Sequence, residues 1–224
     1  MSTIIFLHGW GHSKELWKGF SEKFKRDAVY TFDLPGFGSE KLISNTWDIN
    51  DYAEWVFKKL KDKKITKAVI IGHSFGGKIA FELAKNHPVI IEKLILISSP
   101  LIRKPSLKTK TITALVKKTK KILPKKYVQQ LNSNEYLEAK AKGLNIIFSN
   151  SVNYDQTSYL PNIAVPVLII WGDNDQEASV NIGIEMTKKI PNSKLEIIKR
   201  AGHQLHFEKP DLLYGLINNF IHAK

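Results

Sequence analysis

The segment Gly72-His73-Ser74-Phe75-Gly76 places a serine where its hydroxyl could act as a nucleophile. A largely apolar run, 67–71, precedes it, and small and apolar residues follow at helical spacing over 77–84. Glycines two residues before and after the serine permit a sharp turn from a strand into a helix, because side chains there would collide with neighbouring elements. Such a turn exposes the serine hydroxyl at the end of a sheet, where it can attack a carbonyl carbon.

A serine hydroxyl is almost never ionised at neutral pH, so it needs a histidine base and an acid that orients this base. The acid and the base are expected later in the chain, in that order. Asp175 follows the apolar run 165–171, and His203 follows a second run at 194–199. Parallel strands end at the same edge of a sheet, so these two residues can meet Ser74 there despite their separation in sequence.

A third element lies near the N-terminus, where the apolar run 4–7 is followed by His8-Gly9-Trp10-Gly11. A glycine-lined loop at this place can turn a backbone N–H toward the serine. The N–H groups of Trp10 and Phe75 would then bind the oxyanion of a tetrahedral intermediate. The side chains of these two residues have two open interpretations, as the lining of an acyl pocket or as packing in the core.

Five other polar residues near these motifs have competing interpretations. Asp173 is an alternative acid, and His206 is an alternative base that we interpret as a packing or surface residue. His8 and His73 flank the motifs and are expected to hold loops or to tune the pocket. Asp33 is expected to accept hydrogen bonds from its own turn.

Runs with strand character alternate with helical patterns, which predicts a parallel sheet with right-handed crossovers. The strands are predicted at 3–7, 28–33, 67–72, 93–98, 165–171 and 194–199. The helices are predicted at 14–25, 49–62, 75–86, 178–190 and 210–222. We therefore predict one α/β core over 1–99 and 161–224, with helices on both faces of the sheet and an insertion at 100–160.

The insertion at 100–160 is too long to be a simple loop. Apolar residues between 112 and 123 fall on one helical face, with lysines on the other, and a second helix is predicted through 125–142. Residues 101–142 contain twelve basic and two acidic side chains, so they contribute +10 of the net charge of +13. The basicity of the chain therefore belongs to this segment.

Two roles of the basic segment remain open. We favour a solvated basic face on a helix whose apolar side covers the pocket. The alternative is a weak attraction to anionic lipid surfaces or polyanions, which a basic amphipathic helix can provide. Nucleic acid is not an expected partner, because the segment has one arginine, few aromatic residues and no nucleic-acid-binding motif.

The composition excludes several other chemistries. The chain has no cysteine, which excludes a thiol nucleophile, a thiolate metal site and disulfides, and is compatible with a cytoplasmic protein. No histidine and carboxylate residues show metal-ligand spacing, so neither a metal nor another cofactor is expected. We see no signal-peptide pattern and no apolar run approaching about 20 residues, so a cytoplasmic location is predicted.

Together these motifs resemble the α/β-hydrolase family, in its esterase/lipase group. The resemblance rests on five segments in the family's order: His8-Gly9-Trp10-Gly11, Asp33-Leu34-Pro35-Gly36-Phe37-Gly38-Ser39, Gly72-His73-Ser74-Phe75-Gly76-Gly77, Trp171-Gly172-Asp173-Asn174-Asp175 and Gly202-His203. The first two segments are similar to those of carboxylesterases of biotin precursor synthesis. The resemblance implies that Asp175 is the acid and that the insertion is a helical lid. The family core usually begins with an extra antiparallel hairpin for which this sequence shows no pattern, so a trimmed sheet of about six strands is expected.

The function implied by the resemblance is a serine hydrolase that cleaves small to medium carboxylic esters through an acyl-enzyme. The expected partner is a small-molecule ester, and the protein is expected to be a monomer or a small homo-oligomer. Lactones, thioesters and carbon–carbon bonds can be hydrolysed with the same triad, and lactone hydrolysis is the preferred alternative. A ligand-binding protein that keeps the fold with little turnover is the alternative of a different class.

Overall fold

The computed structural model describes residues 1–103 and 134–223. Its strands are β1 (Thr3–Leu7), β2 (Ala28–Phe32), β3 (Ala68–His73), β4 (Ile91–Ile97), β5 (Val167–Gly172) and β6 (Ser193–Ile198). They form one six-stranded sheet in the order β2-β1-β3-β4-β5-β6, and every neighbouring pair is parallel. The predicted trimmed parallel sheet is therefore confirmed.

The helices are α1 (Ile49–Asp62), α2 (Phe75–Asn86), α3 (Asn134–Ala141), α4 (Asn145–Asn153), α5 (Val180–Lys189), α6 (Leu205–Glu208) and α7 (Pro210–His222). Short 3₁₀ helices occupy Lys14–Trp17, Ser21–Lys23, Pro88–Ile90 and Thr157–Asn162. The start of α1 has a clear local cause. The side chain of Asp48 accepts the N–H groups of Asn50 and Asp51, and the side chain of Asp51 accepts the N–H of Asp48, which forms a capping box.

Both faces of the sheet are buried, as expected for parallel strands covered by helices. Neighbouring residues of β3 illustrate this, since Ile70 belongs to one apolar core and Ile71 to the other. The first core includes Trp55 of α1 and Met186 of α5, whereas the second includes Leu213 of α7. The two layers of helices hold the carboxyl ends of the strands in fixed positions at one edge.

The predicted helix at 14–25 is wrong. The chain forms two short 3₁₀ helices there instead, separated by Gly19 with a φ of 74°. The aromatic residues Trp17, Phe20 and Phe24 have a helical spacing in the sequence, and they are all buried in the second core. The three side chains reach the core without a continuous helix, because Gly19 in its left-handed conformation interrupts the helix between Trp17 and Phe20.

The helix predicted near 112–123 lies outside the described residues, as does the first part of the helix predicted over 125–142. The described remainder of that second helix is α3, and α4 was not predicted. Buried residues of the insertion, among them Leu101, Leu144, Ile147 and Leu160, pack in the first core with the sheet. No helix in the described part of the chain combines the length and apolar character needed to cross a membrane.

Candidate active site

Ser74 occupies the turn between β3 and α2 with an unusual backbone conformation. Its φ is 50° and its ψ is −112°, and a positive φ is uncommon for a residue other than glycine. The N–H of Ser74 donates to the carbonyl oxygen of Ile97 at 2.9 Å, which ties the turn to the end of β4. The serine is therefore held at the carboxyl edge of the sheet, directly before the first turn of α2.

The glycines around Ser74 are required by close backbone contacts. A Cβ at Gly72 would lie less than 3.0 Å from the backbone of Gly76 and Gly77. A Cβ at Gly76 would also lie less than 3.0 Å from the carbonyl oxygens of Leu7, at the end of β1, and His8. These neighbours are backbone atoms that cannot move aside easily, so the spacing of the glycines follows from the tight crossing of three elements.

His203 and Asp175 form a buried pair. Nδ1 of His203 lies 2.8 Å from Oδ2 of Asp175, with side-chain exposures of 6% and 0%. Oδ1 of Asp175 accepts the N–H groups of Glu177 at 2.9 Å and Ala178 at 2.8 Å. Because an ionised carboxylate only accepts hydrogen bonds, Nδ1 carries the proton and Nε2 of the neutral ring is left as an acceptor.

The environment keeps Asp175 ionised. Burial acts to raise the pKa of its carboxyl group, but the hydrogen bonds from His203 and from the amides of Ala178 and Glu177 outweigh it, and the pKa is lowered. The carboxylate of Asp173, the alternative acid, has a different partner, since its Oδ1 accepts the N–H of Arg200 at 2.7 Å. The structure therefore brings Asp175, and not Asp173, against the imidazole.

Ser74 and His203 line the same cavity, which has a volume of about 160 Å³. The described residues that line it are Trp10, His12, His73, Ser74, Glu135, Glu177, His203 and Gln204. Within the described residues no hydrogen bond joins Ser74 Oγ to His203, and Oε2 of Glu177 lies 3.4 Å from Nε2. Contacts of this kind are often looser in the absence of substrate.

Trp10 lines the cavity with Ser74, and Phe75 follows Ser74 in the chain. The N–H of neither residue donates to another backbone or side-chain group in the described residues. The N–H of Phe75 is at the first position of α2, where an α-helix leaves its amides without an internal partner. The rings of the two residues meet edge to face at 5.3 Å. The Phe75 side chain is buried in the first core, whereas Trp10 is half-buried and lines the cavity.

Residues 4–216 match the model of the alpha/beta hydrolase family. The chain belongs to this family. The family and fold expected from the sequence motifs are thereby confirmed. The matched range includes five strands in full, β1 from Ile4 onward and every described residue that lines the cavity.

Curated relatives of this hydrolase have several activities. It is 28% identical to the biotin biosynthesis bifunctional protein BioHC of Teredinibacter turnerae, over 98% of this chain and 44% of that protein. It is 25% identical to a 2-hydroxy-6-oxononadienedioate/2-hydroxy-6-oxononatrienedioate hydrolase of Klebsiella pneumoniae, over 98% and 86%. A solved thermophilic esterase of Thermogutta terrifontis aligns with a TM-score of 0.79 at 21% identity, over 99% and 89%, and this likeness shows the fold.

His8 holds two loops of the hydrolase together. Its Nε2 accepts the N–H of Leu34 at 3.0 Å, and its Nδ1–H donates to the carbonyl oxygen of Gly9 at 2.9 Å. Burial lowers the pKa of His8 to about 4, so the ring is neutral at physiological pH. The ring thus fixes the glycine-lined loop that carries the Trp10 amide.

Two further histidines of the hydrolase lie beneath His203. Nε2–H of His73 donates to the carbonyl oxygen of His203 at 3.0 Å, which supports the loop that carries the imidazole. His206 is buried against Trp17, with ring centroids 5.2 Å apart, and neither of its ring nitrogens has a partner within the described residues. Burial lowers the pKa of His206 to about 4. His206 is thus a packing residue, and only His203 pairs with the acid.

Asp33 connects its own turn to a more distant segment. It accepts the N–H of Ser39 at 3.0 Å and the hydroxyl of the same residue at 2.8 Å, as well as the N–H of Lys14 at 2.7 Å. Burial acts to raise the pKa of Asp33, but these hydrogen bonds and the Lys14 charge lower it to about 2. The bond to Lys14 has no signal in the sequence.

Sequence reasoning missed four residues that line the cavity, namely His12, Glu135, Glu177 and Gln204. Glu177 had one available signal, since it lies two residues after Asp175 in the same loop. Glu135 belongs to α3, whose position over the sheet cannot be read from the sequence. No group of histidine, cysteine and acidic side chains in residues 1–103 and 134–223 has the arrangement of a metal site.

Proposed function

We propose that this hydrolase cleaves small to medium carboxylic esters, with Ser74 as nucleophile, His203 as general base and Asp175 as the orienting acid. The observation that supports this most strongly is the buried His203–Asp175 pair at 2.8 Å, because its imidazole lines one cavity with the strained serine. These parts match the requirements of acyl transfer: a nucleophile, a base beside it and a group that fixes the tautomer of the base.

The reaction proceeds in two halves. Oγ of Ser74 attacks the ester carbonyl while Nε2 of His203 takes the hydroxyl proton, and collapse of the tetrahedral intermediate breaks the bond to the alcohol, which leaves with that proton. Water then attacks the acyl-serine while His203 takes a proton from it, and His203 returns this proton to Oγ of Ser74 as the bond to the acyl group breaks and the carboxylic acid is released. Each half requires Ser74 Oγ and Nε2 to come within hydrogen-bond distance when substrate is bound.

The N–H groups of Trp10 and Phe75 are proposed to stabilise the oxyanion of each tetrahedral intermediate. Neither amide has a partner among the described residues, and the amide of Phe75 is at the positive end of the α2 dipole. Loss of one such donor costs about 3 kcal/mol in comparable sites. The carbonyl would therefore be polarised most strongly as charge develops on its oxygen.

The test is hydrolysis of p-nitrophenyl esters from acetate to palmitate, and of a γ-lactone and a δ-lactone, by the wild type and by Ser74→Ala. We expect turnover of short to medium esters that is lost in the variant. Preference for the lactones with the same dependence on Ser74 would support the alternative substrate class, since a cyclic ester needs no new catalytic part. A folded protein that turns over neither class would contradict the proposal and favour a ligand-binding protein.

A further inference from the structure

A carboxylate lies beside the nitrogen that must accept the serine proton. Oε2 of Glu177 is 3.4 Å from Nε2 of His203, and the Glu177 side chain is 55% exposed. The backbone of Glu177 is held by Asp175, because the N–H of Glu177 donates to Oδ1 of Asp175 at 2.9 Å. The carboxylate is therefore attached to the same loop as the acid and directed to the reacting edge of the imidazole.

A second carboxylate faces the same cavity from another element. Glu135, in the first turn of α3, lines the cavity with Glu177. Partial loss of hydration and, next, the charge of Glu177 raise the pKa of Glu135, as expected for two nearby carboxylates. No lysine or arginine is among the described residues of the cavity lining, although the chain has a net charge of +13. The described lining of the cavity is thus acidic around Glu135 and Glu177.

We propose that Glu177 is a specificity-determining residue that makes the site favour esters with a cationic group near the scissile bond and reject esters with a carboxylate there. The inference rests on the proposed ester hydrolysis at Ser74. Opposite charges attract and like charges repel at contact distance even when water screens them. Trp10 in the same cavity adds an indole ring, the aromatic group that attracts cations most strongly.

The contact with His203 gives this preference a route to catalysis. A substrate cation that pairs with the Glu177 carboxylate draws this group away from the space beside Nε2, through which Ser74 Oγ must approach. A substrate carboxylate meets the repulsion of Glu177 and Glu135 instead. The Klebsiella relative is named for a dioate, which has two carboxylates, so the proposal separates this chain from that relative in substrate class.

The first test compares three butyrate esters of similar size, with choline, 3,3-dimethylbutanol and 2-hydroxyethanesulfonate as the alcohols, in a pH-stat. A second series places the charge on the acyl side, as p-nitrophenyl esters of 6-aminohexanoate, hexanoate and adipate. In the series whose charged group comes close to Glu177, we expect the ratio of kcat/KM for the cationic over the anionic ester to fall at least about tenfold in Glu177→Gln. The substitution removes both the attraction of the cation and the repulsion of the anion. The double variant Glu135→Gln/Glu177→Gln should lower the ratio further.

The matched control is Glu22→Gln, which removes the same charge from an exposed residue outside the cavity and should leave the ratio unchanged. Binding of the non-hydrolysable amide analogues to the Ser74→Ala protein, with and without Glu177→Gln, keeps the inference separate from turnover. Tighter binding of the cation that depends on Glu177 supports the inference even if no ester is cleaved. Equal binding and equal kcat/KM of cationic and anionic members in both series, or a ratio that Glu177→Gln does not change, would overturn it.

Discussion

Replacing Asp175 by asparagine tests whether its carboxylate sets the tautomer of His203. Oδ1 accepts the N–H groups of Glu177 and Ala178 at 2.9 and 2.8 Å, while Oδ2 faces Nδ1 of His203 at 2.8 Å. In Asp175→Asn the amide oxygen must keep the place of Oδ1, because an NH₂ group there would oppose two N–H donors. The NH₂ group is therefore directed at Nδ1 and donates to it.

A donor at this place leaves the proton of the neutral imidazole on Nε2, so His203 can no longer accept a proton from Ser74. We expect kcat to fall about 10⁴-fold at pH 7, which corresponds to about 5 kcal/mol of transition-state stabilisation. The assay is the initial rate of p-nitrophenyl butyrate hydrolysis, with circular dichroism to verify folding.

The control for this substitution is Asp173→Asn, which makes the same change from carboxylate to amide at another residue of the same loop. Asp173 accepts an N–H from Arg200 and makes no contact with the imidazole in the described structure, so its rate should stay within about threefold of the wild type. A folded Asp175→Asn protein that keeps more than a tenth of the wild-type rate would refute the assigned role of the carboxylate.

Two further predictions concern stability. Because the folded-state pKa of Asp33 is about 2, below its ordinary 3.8, its ionised form stabilises the fold above pH 4, and this contribution is lost as the pH falls toward 2. Urea unfolding of Asp33→Asn should show a loss of about 2 kcal/mol at pH 7 that shrinks near pH 2, and an equal loss at both pH values would contradict the reasoning. His206 has a folded-state pKa of about 4, so the unfolded chain binds its proton first and stability falls between pH 6.5 and 4. Between pH 6.5 and 4 the unfolding free energy of His206→Phe should fall by less than that of the wild type, and the difference should be up to about 3 kcal/mol. An equal fall in both proteins would show that His206 is not the source of this pH dependence.

The parts of the fold that depend on short-range patterns were predicted from the sequence. The bounds of α1, α2 and α7 are the predicted ones, because capping residues, the glycine turn at Ser74 and the proline at 210 mark them locally. The predicted helix at 14–25 failed for the opposite reason. The aromatic residues at helical spacing are buried in the core that also holds residues of β1 and α7, but Gly19 adopts a left-handed conformation between them.

For the site, the sequence indicated which residues follow which strands, and the structure places Ser74 and His203 on one cavity with Asp175 behind the imidazole. The approach of Glu177 to Nε2 could not be predicted, because it depends on side-chain directions within one loop. The hydrogen bond from His73 to the carbonyl of His203 was equally hidden, since it joins residues 130 positions apart.

The most direct measurement of the proposed chemistry is covalent labelling of the nucleophile. The wild type and Ser74→Ala are incubated with an alkyl fluorophosphonate, and intact mass and peptide mapping identify the modified residue. We expect one phosphonyl group per wild-type chain, located on Ser74, and none on the variant. Labelling of a different residue, or equal labelling of the folded variant, would contradict the assignment of Ser74 as the nucleophile.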